Sequence, residues 1–546
     1  MDEQRRSRRH GEKSAHEKMI RGSAWMTAGS VMSRILGAVY ILPWWIWMGK
    51  SAYEANALFT KGYQIYSIFI IISTAGIPGA VSKQIARYDA MGEYKTSMRL
   101  FWHGMLATSL MGIVSASLMW LFAPALAAGD PHMIPVIHSL SAALVVIPLL
   151  SIMRGFFQGH SEMAPSAISQ FVEQLVRVGY MLVTAYAIMR MGNGNYVHAV
   201  TQSTFAAFIG AVAGAALLWL LFLKRLPGIR RRNAQSKNEV HVSVNQLLMD
   251  IVRQAVPFIV MDSAITWYYL IDQYTFFKGM HSLYSVTTKQ LNVFYATYAG
   301  NANKLIMIIV SLATAMSVTA IPLLSGAITR GDRKAVSQQI SNVLQLFLIV
   351  MLPAAFGMAA IAHPLYVMFY GYNELGFKML QVSCVLAVFL GLFTILAALL
   401  QGLFRNRLAI KLMLWGVAGK LLCQLPFMFL FNVYGPMLST LVGMTISCWL
   451  MLHALRHEFH FKARQTARRV LGMLFFSVVM YAFVRTAVLL LSMVLNPYIK
   501  VTSAVIIVIA LPIGVAVYAY LVLKTHLADM VLGARVAGIR TRLHIK

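Results

Sequence analysis

Met379–Phe404 reads MLQVSCVLAVFLGLFTILAALLQGLF, 26 consecutive positions without an Asp, Glu, Lys or Arg. About 20 apolar residues cover the hydrocarbon core of a bilayer, so this run predicts a transmembrane helix. Runs of similar length lie on both sides of it. Before it come Ser23–Met48, Leu58–Val81, Leu100–Ala127, Ile134–Phe157, Ala164–Met189, Val197–Leu223, Leu248–Phe276, Asn301–Leu324 and Ile340–Ala362. After it come Leu408–Phe431, Tyr434–Leu455, Val470–Leu495 and Val501–Leu523. The expected fold is therefore an all-α polytopic membrane protein with 14 transmembrane helices.

Composition agrees. Of 546 residues, 59% are hydrophobic and 12% charged, with a mean hydropathy of +0.67. Soluble domains carry about 25% charged residues, and disordered chains lack such apolar content. The net charge of +29 is read through topology before nucleic-acid binding. With the N-terminus in the cytoplasm, 35 of the 47 Lys and Arg fall in inner segments and 8 in outer ones. Arg34, Arg177, Lys420 and Arg485 fall within spans. That asymmetry is the positive-inside signature and places both termini in the cytoplasm. The first apolar run is too long for a signal-peptide core and has no small-residue cleavage site, so it is read as a retained span. Cys384, Cys423 and Cys448 sit in apolar runs with no disulfide or metal spacing.

The chain reads as a duplication. Ile77-Pro78 and Ile321-Pro322, read as ends of the second and eighth spans, are 244 apart. Ala123-Pro124 and His363-Pro364, at the ends of the third and ninth, are 240 apart. Gln158-Gly159 and Gln401-Gly402 are 243 apart, the offset that also relates Arg177 to Lys420. Two six-helix halves follow, parallel because six is even. The expected organisation is a tail (1–22), an N-lobe (23–223), a basic linker (224–247) and a C-lobe (248–455). A basic loop (456–469), two appended helices (470–523) and a second tail (524–546) complete it. Arg230-Arg231-Arg232 in the linker is read as a positive-inside cluster, with contact to anionic lipid as the alternative.

Charge inside a bilayer costs roughly 3 kcal/mol or more and turns toward a wet interior. Ser166, Gln170, Glu173 and Arg177 step along one helical face of the fifth span. Glu173 and Arg177, at i and i+4, can pair and lock helix packing, or the stripe can line a cavity. Lys420 repeats the cation in the second half, with Gly416 in place of the carboxylate. Two such cations could hold a diphosphate. Arg34 is a helix–helix anchor or a substrate contact, and Lys304 is a snorkelling residue or a substrate contact. Asp262 and Asp272 share the seventh span and are candidates for ion coupling, for structural hydrogen bonds or for an outer-surface position. Arg485 belongs to the appended pair. Trp44, Trp45 and Trp47 form an interfacial belt.

No Walker loop occurs. Among 18 acidic residues none forms a paired-carboxylate metal site, and the histidines show no ligand spacing. A catalytic role, a catalytic residue and a metal site are not expected.

The stretches Ser33-Arg34-Ile35-Leu36-Gly37, Ser73-Thr74-Ala75-Gly76-Ile77-Pro78-Gly79-Ala80-Val81-Ser82-Lys83 and Met153-Arg154-Gly155-Phe156-Phe157-Gln158-Gly159-His160 carry a resemblance. The chain resembles the multidrug/oligosaccharidyl-lipid/polysaccharide exporter superfamily and its polysaccharide-transporter branch. Within that branch it is similar to the stage V sporulation protein B and YtgP group, which overlaps the MurJ-type lipid II flippases. The resemblance implies a V-shaped, two-lobed transporter that turns undecaprenyl-pyrophosphate-linked cell-wall precursor from the inner to the outer leaflet by alternating access. It implies cationic residues in the first, second and eighth spans. Arg34 matches the first. Tyr40 stands where the family has a second arginine, the second-span place is apolar (Ile70 or Ile71), and Lys304 falls within a position of the third.

The expected substrate-binding residues are then Arg34, Arg177, Lys304, Lys420, Glu173 and Gln170, with Arg177 and Lys420 taking over the missing charges. Asp262 and Asp272 are the candidates for ion coupling. No cofactor is expected, and coupling would be to Na+, H+ or the membrane potential. The expected partners are a lipid-linked glycan, membrane lipids and cell-wall synthesis proteins, without nucleic acid, the chain acting as a monomer. The alternatives are a flippase for another polyprenyl-linked polysaccharide or teichoic-acid unit, a cation-coupled multidrug exporter, and a non-transporting membrane scaffold. An exporter of cations would want cavity carboxylates, whereas cations dominate here.

Overall fold

The computed structural model describes residues 39–74, 77–160, 162–236 and 259–532, with Met32, Leu36, Gly37, Val256 and Pro257. Among them are helices and connecting turns and no strand. The chain divides into two compact units, up to Thr266 and from Trp267 onward.

The first unit contains α1 (Ile41–Met48), α2 (Ala52–Thr74), α3 (Ile77–Met91), α4 (Tyr94–Leu121), α5 (Met133–Gly159), α6 (Met163–Tyr186) and α7 (Tyr196–Ala234). The second contains all but the first turn of α8 (Ala264–Leu283), α9 (Thr288–Tyr295), α10 (Asn303–Thr329), α11 (Arg333–Ala360), α12 (Ala362–Tyr370) and α13 (Glu374–Gly402). It continues with α14 (Asn406–Phe431), α15 (Gly435–Phe459), α16 (Ala463–Val494), α17 (Lys500–Lys524) and α18 (Leu527–Leu532).

Local chemistry fixes the ends. Asn195 caps α7 through the amides of Val197 and His198, and Thr287 and Gln290 form a reciprocal capping box on α9. Asn373 caps α13 while Glu374 complements the positive end of its dipole. Prolines 148, 227, 353, 426 and 512 stand inside helices. Helices packed in a membrane tolerate them because neighbours satisfy the freed carbonyls. Gly112 of α4 makes room for one: a Cβ there would lie 3.1 Å from Cγ of Pro148.

Ten helical stretches among the described residues are long and apolar enough to cross a membrane. The expectation was 14. One stretch, Asn406–Phe459, holds both α14 and α15, joined by a single 3₁₀ turn. α2 and α8 have spanning length but carry Glu54 and Lys61, and Asp272 and Lys278. The first expected span is described mainly as α1.

The duplication appears as packing repeated inside each unit. In the first, α5 packs on α2, α3, α4 and α7, and α6 packs on α7. In the second, α13 packs on α10, α11 and α15, and α14 packs on α15. The Gln-Gly motifs show why. A Cβ at Gly159 would come within 2.8 Å of Ile85, and one at Gly402 within 3.1 Å of the Ile321 carbonyl. Each glycine thus seats the central helix of its unit closely against a neighbour, Gly159 against α3 and Gly402 against α10.

Two boundaries differ from expectation. Ile77-Pro78 belongs to α3, which runs on to Met91, ten positions past the expected end of the second span at Val81. Ile321-Pro322 lies inside α10, which runs on to Thr329. α7 also continues past Leu223 to Ala234, 39 residues in all. At 1.5 Å per residue that is about 58 Å, well beyond the hydrocarbon thickness. Arg230-Arg231-Arg232 are therefore helical. The appended pair, α16 and α17, is docked by Met480, Val484, Val488, Ile506 and Ala510 against Ala360 and Ile361.

Candidate functional site

Each unit holds an intramembrane cation at the place the repeat predicts. Arg177 stands on α6 and Lys420 on α14. Both helices approach their partner through a glycine. A Cβ at Gly210 of α7 would meet the Arg177 Cβ at 2.8 Å, and one at Gly443 of α15 would meet the Lys420 Cβ at 3.0 Å. The two cations are thus pseudo-equivalent in local packing, but their partners differ.

In the first unit, Arg177 donates to the Tyr63 hydroxyl, and its guanidinium lies 5.3 Å from the centre of that ring. Tyr63 stacks on Phe59 and meets Tyr66 edge-on. Tyr40, Tyr63 and Tyr66 all lie close enough to interact electrostatically with Arg177. The expected Glu173–Arg177 pair does not form. Glu173 instead accepts from Arg154 of α5 at 2.7 Å, and Arg154 also donates to Ser169 at 3.0 Å. Arg154 is the carboxylate's partner, and among the described residues no salt bridge holds Arg177. Along the same stripe Ser166 accepts from Gln158 at 2.9 Å. Gln170 is half-buried.

In the second unit, Lys420 does not offer a free charge. Its ammonium lies 2.6 Å from Oδ1 of Asp272, with the side chains 0% and 4% exposed. It also donates to Thr440 Oγ1 at 2.5 Å and lies 5.7 Å from the Tyr268 ring centre. Gln424 donates to Asp272 Oδ1 at 3.0 Å, and the Thr440 hydroxyl donates to Oδ2 at 3.2 Å. Both carboxylate oxygens are engaged. A buried charge left unpaired is strongly destabilising, and here each charge cancels the other. Gly416, one turn before Lys420, has no room for a side chain: a Cβ would lie 2.6 Å from the Tyr268 hydroxyl. The carboxylate comes from α8 instead. A cavity of about 20 Å³ adjoins the pair, lined by Asp272, Thr440, Tyr269, Tyr298 and Asn303 among others. That is room for one water molecule.

The remaining predicted residues are placed separately. Arg34 lies outside the described residues. Lys304 is the second residue of α10, beside Asn303, which accepts from Tyr269 at 2.8 Å. Asp262 is exposed and precedes the turn at Ser263. It falls in the first compact unit, whereas Asp272 falls in the second. The shared expectation for these two aspartates therefore separates: Asp272 is sealed by Lys420, and Asp262 is not buried.

Sequence reasoning also missed a half-buried ion pair. Lys61 of α2, assigned to an outer segment, is bonded to Asp130 at 3.1 Å with its side chain 7% exposed. The signal was available: Lys61 sits among apolar positions, and Asp130 occupies the turn just before α5.

Comparison with known proteins bears on what this arrangement serves. The sequence profile described as polysaccharide biosynthesis protein matches residues 19–328. The lipid II flippase MurJ of Bacillus subtilis (strain 168) is 33% identical over 542 residues, covering 95% of this chain and 98% of that protein. Among solved structures, the lipid II flippase MurJ in an inward closed conformation superposes with a TM-score of 0.60 at 13% identity, covering 91% of this chain and 97% of that one. A multidrug resistance MATE family transporter of the MOP superfamily, in an inward-facing conformation, gives 0.59 at 15% identity, covering 78% and 94%. At these identities the two structures speak for the fold.

Proposed function

Because the chain belongs to the polysaccharide biosynthesis protein family, we propose that this multi-pass membrane protein is a lipid II flippase. It moves an undecaprenyl-pyrophosphate-linked precursor from the inner to the outer leaflet for peptidoglycan synthesis. The observation that carries this reading is the 33% identity to a lipid II flippase across 95% of the chain. Both termini and the basic loops are cytoplasmic in this reading, the chain has 14 spans, and its two lobes alternate access as a monomer.

The local geometry supports a division of labour. Among the described residues Arg177 is bound by a neutral phenol and not by a carboxylate, so its charge is available to an anion. It also neighbours Tyr40, the position where the resemblance calls for an arginine, so it can supply that charge from another helix. Arg177, Arg34 and Lys304 then bind the pyrophosphate, since a bidentate guanidinium matches phosphate oxygens. Gln170 and the Arg154–Glu173 pair line and orient that surface. Lys420, neutralised by Asp272, is a positioning residue in this reading. A coupling cation at Asp272 would have to displace the Lys420 ammonium, which leaves a Na+ or H+ gradient acting through Asp262, or the membrane potential, to provide the driving force. The last two helices flank the path of the prenyl tail.

A second reading, transport of another polyprenyl-linked polysaccharide or teichoic-acid unit, is favoured by the family description itself. Complementation separates the two. The chain should restore growth to a bacterium depleted of its own lipid II flippase. Normal membrane insertion without growth would favour the other glycan.

A further inference from the structure

The second unit carries a basic cavity that shares no residue with the Arg177 or Lys420 clusters. It measures about 740 Å³ and is enclosed by the first turns of α11, the end of α15, the start of α16 and Met530 of α18. That volume suits a small ligand. Its charged lining is Arg333, Lys334, Lys462 and Arg469 against one carboxylate, Glu458. Glu458 is already paired with Arg405, and among the described residues the four cations have no acidic partner. Arg469 is held in place: it donates to Oε1 of Gln345 at 2.7 Å and to the Met530 carbonyl at 3.4 Å. Gln345 is 3% exposed and in turn donates to Thr466 at 3.4 Å. A buried amide that fixes a guanidinium at a cavity wall is a built feature, unlike a loose surface arginine. No side chain caps the first turn of α16, so its amides add positive potential at the same place.

We propose that this cavity is a binding site for a phosphate-bearing anion, separate from the transported substrate. Two or three cations converging with helix-terminal amides recognise a dianionic phosphate by charge-assisted hydrogen bonds. The cavity lies at the end of the unit formed by the most basic loops, which the positive-inside rule assigns to the cytoplasm. The phosphate then comes either from an inner-leaflet phospholipid headgroup or from a soluble phosphorylated molecule. α16 and α18 both border the site, so occupancy ties the appended helices to α11.

The test measures binding on the purified full-length protein, so it does not depend on transport. One arm titrates inorganic pyrophosphate against protein in phosphatidylcholine nanodiscs. The other compares thermal stability and native mass spectra in nanodiscs with and without phosphatidylglycerol. Saturable binding in the first arm identifies a soluble ligand, and a retained lipid with a raised melting temperature in the second identifies a headgroup. Lys334→Gln with Lys462→Gln should weaken whichever binding is seen by about tenfold or more. Arg464→Gln with Arg468→Gln removes the same charge from exposed positions of α16 outside the cavity lining, and should leave binding within about twofold. Equal weakening by both pairs would mean diffuse attraction and overturn the site, as would the absence of binding in both arms.

Discussion

The ammonium of Lys420 lies 2.6 Å from a carboxylate oxygen of Asp272, and neither side chain is open to solvent. The pair joins α14 to α8 across 148 positions of sequence. It sets the stability behaviour of the second unit, because each residue alone would be an uncompensated buried charge. Asp272→Asn or Lys420→Met should each cost about 3–5 kcal/mol. The double substitution Asp272→Leu with Lys420→Met should recover most of that loss. Thermal unfolding in detergent checks this: additive losses in the double variant would mean that the two charges are not coupled.

The close helix approaches give a second expectation. A Cβ at Gly210 would lie 2.6 Å from the Glu173 carbonyl, and one at Gly443 would lie 2.6 Å from the Gly416 carbonyl. Backbone atoms cannot turn aside, so Gly210→Ala and Gly443→Ala should each cost about 1–3 kcal/mol. A Cβ at Gly179 of α6 meets nothing within 4 Å. Gly179→Ala should be neutral or stabilise by about 0.5–1 kcal/mol. Melting temperatures of the three variants decide it.

Arg177 and Tyr63 separate charge from geometry. Arg177→Lys keeps the charge but loses the planar fork, and should lower transport by about tenfold or more. Tyr63→Phe removes the hydrogen bond yet keeps the ring beneath the guanidinium, and should cost less than Arg177→Lys. Transport rates at matched protein levels test the order. An Arg177→Lys variant as active as the parent would make Arg177 a packing residue.

Much of the fold is legible in the sequence because the bilayer imposes a length on every apolar run. The repeat is legible because Gln158-Gly159 and Gln401-Gly402 each mark a close approach of the central helix to a neighbour. Ion-pair partners are harder to read. An i,i+4 rule favours Glu173 with Arg177, but Arg154 on the neighbouring helix reaches the carboxylate and Tyr63 takes the arginine. Helix spacing records which residues share a face, and not which neighbouring helix faces them. Lys420 was tractable by a different route. A buried ammonium requires a carboxylate, Gly416 supplies none, and Asp272 is an intramembrane acid of the same half. Charge neutrality within the half thus points to Asp272 or Asp262 as the partner of Lys420, and the helix packing selects Asp272.

The central claim is that this chain carries lipid II across the membrane with Arg177 on the binding surface. Leaflet-specific detection of lipid II, in cells depleted of their own flippase, tests it most directly. Expression of the chain should move lipid II from the inner to the outer leaflet, and Arg177→Ala at normal membrane levels should fail to do so. Undiminished inner-leaflet accumulation with the intact chain present at normal levels would contradict the claim.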